Sequence, residues 1–405
     1  MANNEPLLGL QHRLIKSEAL RRVIGVDGAT LAVAPRAQAF AIAGLHEVGG
    51  GPLVVVAATQ RDATTLRDDL ACFLGSPPLS VPGLDAGPVA LLPSWDTLPL
   101  ERVSPETSVM GQRLALRWRL ASPNPPAIVI ASVRALLQRL TPHVVDPVVL
   151  RLGMQQDLEE LVSSLVAQGY RRESQVEHRG ELAVRGGIVD IFGSTASAPV
   201  RIDLFGDEID RLTTFDASDQ RARDAVDEAW FFGCREFLLN DQDREQARRL
   251  SAEKPWASSA MSRLAEGAMF DGMEGWLGMV VPGVHLLSDA LPDKSSIVIV
   301  DPRRTRDRAL ELLEEEAALV NSLVSTWSEG GESPEVEAMG LHADFDRLFA
   351  QSVAPVISLP TTPSSEGEPQ LGSAGFPPMT GDAARLVEHM THWVVHTSLM
   401  ERLLG

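Results

Sequence analysis

Residues 169–215 read GYRRESQVEHRGELAVRGGIVDIFGSTASAPVRIDLFGDEIDRLTTF. Apolar and polar residues alternate along four runs, Glu181–Arg185, 188–192, Val200–Phe205 and Glu208–Phe215. Gly186-Gly187 and Gly206-Asp207 fit two-residue hairpin turns, and residues 193–199 fit a longer loop. The pattern predicts an antiparallel meander. Side chains two apart share a face, so Val200, Ile202 and Leu204 point inward with Leu182 and Val184. Arg201, Asp203 and Phe205 then point outward, as do Glu181, Ala183 and Arg185. A phenylalanine between charges on a solvent face is a misfit for solubility, and arginine beside an aromatic is the composition of a binding hot spot. On composition alone, an ordinary solvated face with one stray aromatic is the plainer reading.

The 405 residues suffice for two to four domains with real cores. A net charge of −19 argues against a general grip on nucleic-acid backbone, which needs clustered Lys and Arg. The two cysteines, Cys72 and Cys234, stand far apart and outside any CxxC, so both are expected to be buried reduced thiols. No apolar run approaches the ~20 residues of a membrane span, and the N-terminus lacks a signal-peptide pattern. A cytoplasmic location is the expectation.

Outward from the meander, the chain alternates strand-like and helix-like runs. Strands are predicted at 29–34, Leu53–Ala57, 89–93 and 127–131, and helices at 4–20, 38–47, 61–73, 112–119 and 133–139. This alternation implies a parallel sheet covered on both faces. A helix at 157–168 leads into the meander, giving a smaller α+β unit over 145–223. Helices at 241–250 and 260–267, the short β-branched run 297–300 and a helix at 304–328 restore the α/β pattern. The economical topology returns 297–300 to the first sheet, so the small unit is inserted between two halves, 1–144 and 224–330. Residues 331–379 are rich in Pro, Ser, Gly and Glu and predict a linker, while 380–405 predict one amphipathic helix opening a further, truncated domain.

Several blocks together resemble the N-terminal UvrB-homology module of the bacterial transcription-repair coupling factor (Mfd) family, itself similar to the excision-repair protein UvrB. They are LLPSWDTLPLERVSP (91–105), ASVRALLQRLTP (131–142), GYRRESQVEHRGELAVRGGIVDIF (169–192) and VRIDLFGDEIDRLTTFD (200–216), with FDGMEGWL (270–277) and LPDKSSIVIVD (291–301) further on. The resemblance implies an α/β fold: a degenerate RecA-like, P-loop-type domain built from two chain segments, with an inserted UvrB-like domain 2. It implies UvrA as partner, bound by that second domain through Arg185, Arg201 and Phe205, with Arg172 as a further contact. Ala183 stands where UvrB carries another arginine. The family also implies contact with RNA polymerase and DNA, and ATP- and magnesium-dependent translocation, through regions beyond residue 405. It further implies that the parent's C-terminal domain contacts this module.

The departures from UvrB decide the expected chemistry. A P-loop needs glycines to wrap phosphates, a lysine for the outer phosphates and a Ser or Thr for magnesium. The corresponding stretch is Ala32-Val-Ala-Pro-Arg36-Ala-Gln-Ala39-Phe40, which has none of the three. Ala39 and Phe40 take the places of the lysine and the hydroxyl residue, leaving Arg36 alone. Asp301 ends IVIVD, but Pro302-Arg303-Arg304 follows where active motors carry an acidic residue. No cofactor and no catalytic residue are expected for this segment. The rival readings are an active UvrB-like damage-binding helicase, which needs the missing Lys and Glu, and a stand-alone adaptor.

Other constellations favour plain roles. His389, His392 and His396 share a helical face at a zinc-compatible spacing, but Leu386 and Trp393 point to packing. Asp203, Asp207, Glu208 and Asp210 crowd a turn without EF-hand spacing, so a solvated acidic edge is expected. Trp95 and Trp118 have few basic neighbours and read as core anchors.

Overall fold

A computed structural model describes residues 7–75, 81–97, 102–327 and 340–371. Its main layer is a six-stranded sheet, all parallel, in the order Ala29–Thr30, Val356–Leu359, Ser296–Val300, Leu53–Ala57, Ile128–Ser132, Val89–Leu92. Runs such as LVVVA and SIVIV are buried at every position, as a strand covered on both faces requires. Alternation then sorts them. Leu53, Val55, Val298 and Ile130 pack with Leu45, Leu66 and Leu70 on one side, while Val54, Val56, Ile297, Ile299 and Val129 pack with Leu116, Leu136 and Ala309 on the other. The strand Ser296–Val300 sits in the interior of this sheet, so the chain leaves the domain and returns to complete it.

Within the expected linker, the described residues 340–371 carry a strand of the main sheet. Val356–Leu359 is an interior strand between Ala29–Thr30 and Ser296–Val300, with Ile357 and Leu359 fully buried. Leu341, Phe345 and Leu348 are buried too. Averaging over Pro, Ser and Gly hides a four-residue strand, VISL, that the sheet needs as a neighbour. The predicted strand 29–34 is split as well: Ala32–Val33 turns away to pair with Gln370–Leu371. Its predecessor 4–20 breaks into a 3-10 helix, Leu10–Lys16, and a short α-helix, Glu18–Val23.

Residues 237–281 form a helical annex with its own core of Phe237, Trp256, Met261, Leu264 and Trp276, onto which Trp95 packs. The small domain is a separate six-stranded sheet. Its order is Ala222–Ala225, Glu208–Phe215, Val200–Phe205, Ile188–Ile191, Glu181–Arg185, Arg171–Arg172, antiparallel except at the last pair. The helix Leu158–Ala167 covers its inner face, where Leu161 and Leu165 meet Leu182, Val189, Ile191, Val200 and Ile202. A two-stranded ribbon, Val148–Arg151 with Glu228–Phe231, closes the unit, which therefore extends past the expected boundary at 223. Trp118 packs against Trp230 of this ribbon and against Phe232 just after it, at ring-centroid distances of 5.1 and 5.9 Å, seating the small domain on the helix Thr107–Ala121.

No helix among the described residues is long and apolar enough to cross a membrane. Cys234 is buried, but Cys72 is half-exposed on the helix Gln60–Leu74, contrary to expectation. The helix's wet flank carries it beside Asp68, whose carbonyl accepts from the thiol.

Candidate docking face of the small sheet

All four predicted strands form, and the inward set Leu182, Val184, Val200, Ile202 and Leu204 packs as alternation requires. Two hairpins turn at Gly186 (φ 61°) and Gly206 (φ 64°), left-handed positions that favour glycine. Because Glu181–Arg185 and Val200–Phe205 run the same way in the sheet, Arg185 and Phe205 project at the same end.

The outward face is divided. At one end Ala183 and Phe215 lie under Val176, Phe192 and Ala196, forming a second small core. Glu181 and Ala183, expected outside, are therefore buried. Glu181 is recruited by the covering loop: its carboxylate accepts from the N–H groups of Glu177 and His178, each at 2.8 Å. Burial pushes that carboxyl up, but the two N–H donors outweigh it and hold it below the usual range.

The other end is open. Phe205 is 84% exposed at the hairpin tip. Arg201 and Arg185 both reach Asp190, which is fully buried on the neighbouring strand, directly opposite Arg201. Arg201 forks onto it with Nε at 2.7 Å and Nη2 at 2.9 Å, and lies 4.8 Å above the Phe215 ring. The hydrogen bond to Asp190 raises the Arg201 pKa above its ordinary value. Asp203, on the same face, pairs with Arg211 at 2.8 Å. Side-chain exposure is 48% for Arg185 and 23% for Arg201, so both present an edge to solvent.

Arg172 is exposed but lies on the edge strand in register with inward-facing Leu182, off the face that carries Arg185 and Arg201. Asp190 and Phe215 were missed in the sequence. The available signal was a lone aspartate inside IVDI, in hairpin register with Arg201.

The residues expected at a degenerate nucleotide site fall at the ends of the parallel strands. Arg36 is exposed in the turn Pro35–Ala37, Ala39 is buried in the first turn of the helix Gln38–Gly49, and Phe40 packs on Phe73 at 5.5 Å. Asp301 follows Ser296–Val300 with a left-handed backbone (φ 48°); its N–H donates to Leu359 O at 3.0 Å and its carbonyl accepts from Thr305 N–H at 3.0 Å. Arg304 forms an ion pair with Asp62 at 2.9 Å. Among the described residues no group of three His, Cys, Asp or Glu is arranged to hold a metal ion. His389, His392 and His396 lie outside the described residues.

Residues 148–237, the small domain with its closing ribbon, match the UvrB interaction domain family. The chain is similar to proteins named transcription-repair-coupling factor. It is 41% identical to that of Mycobacterium bovis over 282 residues, covering 65% of this chain and 22% of the relative. Identity is 32% over 295 residues with that of Myxococcus xanthus, covering 69% and 24%, and 28% over 242 residues with that of Escherichia coli, covering 58% and 20%. The chain spans less than a quarter of the length of these relatives. It is thus a homologue of the transcription-repair-coupling factors over the portion it spans, and it carries a UvrB interaction domain.

Proposed function

We propose that this chain is the UvrA-recruiting module of a transcription-repair coupling factor, acting in transcription-coupled nucleotide excision repair. The carrying observation is Phe205, 84% exposed on the sheet face that also presents two arginines held by a buried aspartate, within the residues that match the UvrB interaction domain. An exposed aromatic on the same sheet face as two carboxylate-held guanidinium groups suits a partner surface with an apolar recess and nearby carboxylates. Arg185, Arg201 and Phe205 are the contact set, with Arg172 at the sheet's edge as a peripheral contact.

The six-stranded parallel sheet is, in this reading, a RecA-like domain that has given up nucleotide chemistry. Packing supports the reading: Phe40 is committed to Phe73, Ala39 to the core, and Arg304 to Asp62. Phosphate contacts at those positions would have to break existing ones. DNA translocation with ATP and magnesium, and displacement of RNA polymerase, are assigned to other regions of the parent protein, and its C-terminal domain would cover the docking face until UvrA is needed. Mixing the 405-residue chain with purified UvrA in analytical gel filtration tests the core of this. A co-eluting complex is expected, whereas separate elution at micromolar concentrations refutes it. Magnesium-ATP turnover by the isolated chain would overturn the account of the sheet domain.

A further inference from the structure

Arg201 and Arg185 are long side chains whose free ends would sample many rotamers, and ordering such side chains on binding costs conformational entropy. Here a residue behind them has already done the ordering. Asp190 is fully buried, on the strand between the two that carry the arginines, opposite Ala183 on one side and Arg201 on the other. Its Oδ1 accepts from Arg201 Nε, and its Oδ2 accepts from Arg201 Nη2 and from Arg185 Nη2. The Phe215 ring beneath Arg201 fixes the plane of the fork. One carboxylate thus serves two guanidinium groups, so the cluster keeps a single net positive charge while the Nη1 donors of Arg201 remain for another acceptor. Both cations that this buried carboxylate anchors reach solvent, unlike the guanidinium groups of an ion cluster closed inside a core.

We infer that Asp190 is the positioning residue of the docking face, holding Arg185 and Arg201 edge-outward and pre-aligned for carboxylates of the partner. The inference rests on the proposed UvrA-docking role. Loss of the Asp190 charge frees both arginines and raises the net charge of the cluster from one to two. Affinity then falls through lost alignment, while its salt dependence steepens through added charge.

The test is Asp190→Asn in the full chain, with the dissociation constant for UvrA measured at two salt concentrations. A loss of at least tenfold at the higher salt, with a steeper salt dependence, is expected. In an Arg185→Ala/Arg201→Ala background the same substitution should change affinity less than twofold. Wild-type affinity in Asp190→Asn overturns the inference, as does a tenfold loss that persists without the arginines, which would mark a purely structural role. Arg201→Lys provides a check independent of the buried site: it keeps the charge but cannot fork onto Asp190. An affinity equal to wild type there would also overturn the inference. Phe205→Ala separates this inference from the reading beneath it. If that variant binds UvrA as wild type does, the docking face itself is wrong; if it loses binding while Asp190→Asn does not, only the role of Asp190 falls.

Discussion

Substituting Glu236 by glutamine should be among the most damaging single changes to this protein, although the residue lies far from the docking face. Its side chain is fully buried and serves two guanidinium groups: Arg113 Nε donates to Oε2 at 2.7 Å, and Arg117 Nη1 lies 3.7 Å from Oε1. Trp95 Nε1 donates to the same carboxylate at 2.9 Å. Arg113 is itself fully buried, and burial lowers the Arg117 pKa below its ordinary value despite the nearby anion. Two side-chain nitrogens, Arg113 Nη2 and Arg117 Nη1, already lack a hydrogen-bond partner. Glutamine keeps the shape and removes the charge, leaving Arg113 and Arg117 without their counter-ion. Breaking such a buried pair costs about 3–5 kcal/mol, because a buried cation is left uncompensated. With a urea slope of about 2–3 kcal/mol/M, the unfolding midpoint should fall by roughly 1–2.5 M. Intrinsic tryptophan fluorescence, to which Trp95 and its core neighbours Trp256 and Trp276 contribute, reports the transition. A midpoint displaced by less than about 0.3 M would refute this view of the cluster. The double variant Arg113→Met/Glu236→Leu should be less destabilised than Glu236→Gln, since it leaves one buried cation, Arg117, without its counter-ion and not two.

Three further outcomes follow from the packing. Ile357→Ala should cost about 2–5 kcal/mol in urea unfolding, because Ile357 is a buried interior-strand residue; a cost near zero would return the segment to the status of a linker. Under native conditions a thiol reagent should modify Cys72 and spare Cys234, whose pKa burial pushes up to about 12; equal reactivity of the two would contradict the packing. Asp216 is held down to about 2 by the Ser218 hydroxyl, then by the Ser218 N–H and by Arg223. Its folded pKa lies below the unfolded value of about 3.9, so its contribution to stability is present above about pH 4 and lost as pH falls toward 2. Carboxyl NMR titration should place the Asp216 midpoint near 2, and Ser218→Ala should raise it; an unchanged midpoint would refute the assignment of cause.

Where one period ruled a whole segment, the sequence was transparent. The strands Glu181–Arg185, Val200–Phe205 and Glu208–Phe215 and the strand Leu53–Ala57 have the boundaries that alternation or continuous apolarity predicts. The return of Ser296–Val300 to the first sheet was legible because a short β-branched run buried on both faces needs two neighbours. Val356–Leu359 was not, because three apolar residues and a serine between prolines are too few to carry a periodicity. Alternation also located Arg201 and Phe205, but it assigns faces without saying what covers them. Glu181 and Ala183 share the correct face and are buried by a loop whose path depends on Val176 and Phe192, remote from them in pattern. Asp190 was opaque for the same reason: its meaning lies in cross-strand register with Arg201, a relation between strands. Arg172 shows the converse, since the parallel pairing of Arg171–Arg172 with Glu181–Arg185 sets its face and no local pattern encodes it.

The central claim is that Phe205 anchors a partner, and the affinity of Phe205→Ala for UvrA tests it most directly. Because the side chain is 84% exposed, its removal should leave folding stability within about 0.5 kcal/mol of wild type, so any loss of binding is a loss of contact. Truncating a central aromatic anchor costs about 2–4 kcal/mol, which corresponds to a dissociation constant weakened roughly 30- to 1,000-fold. A folded Phe205→Ala chain that binds UvrA within twofold of wild type would contradict the account.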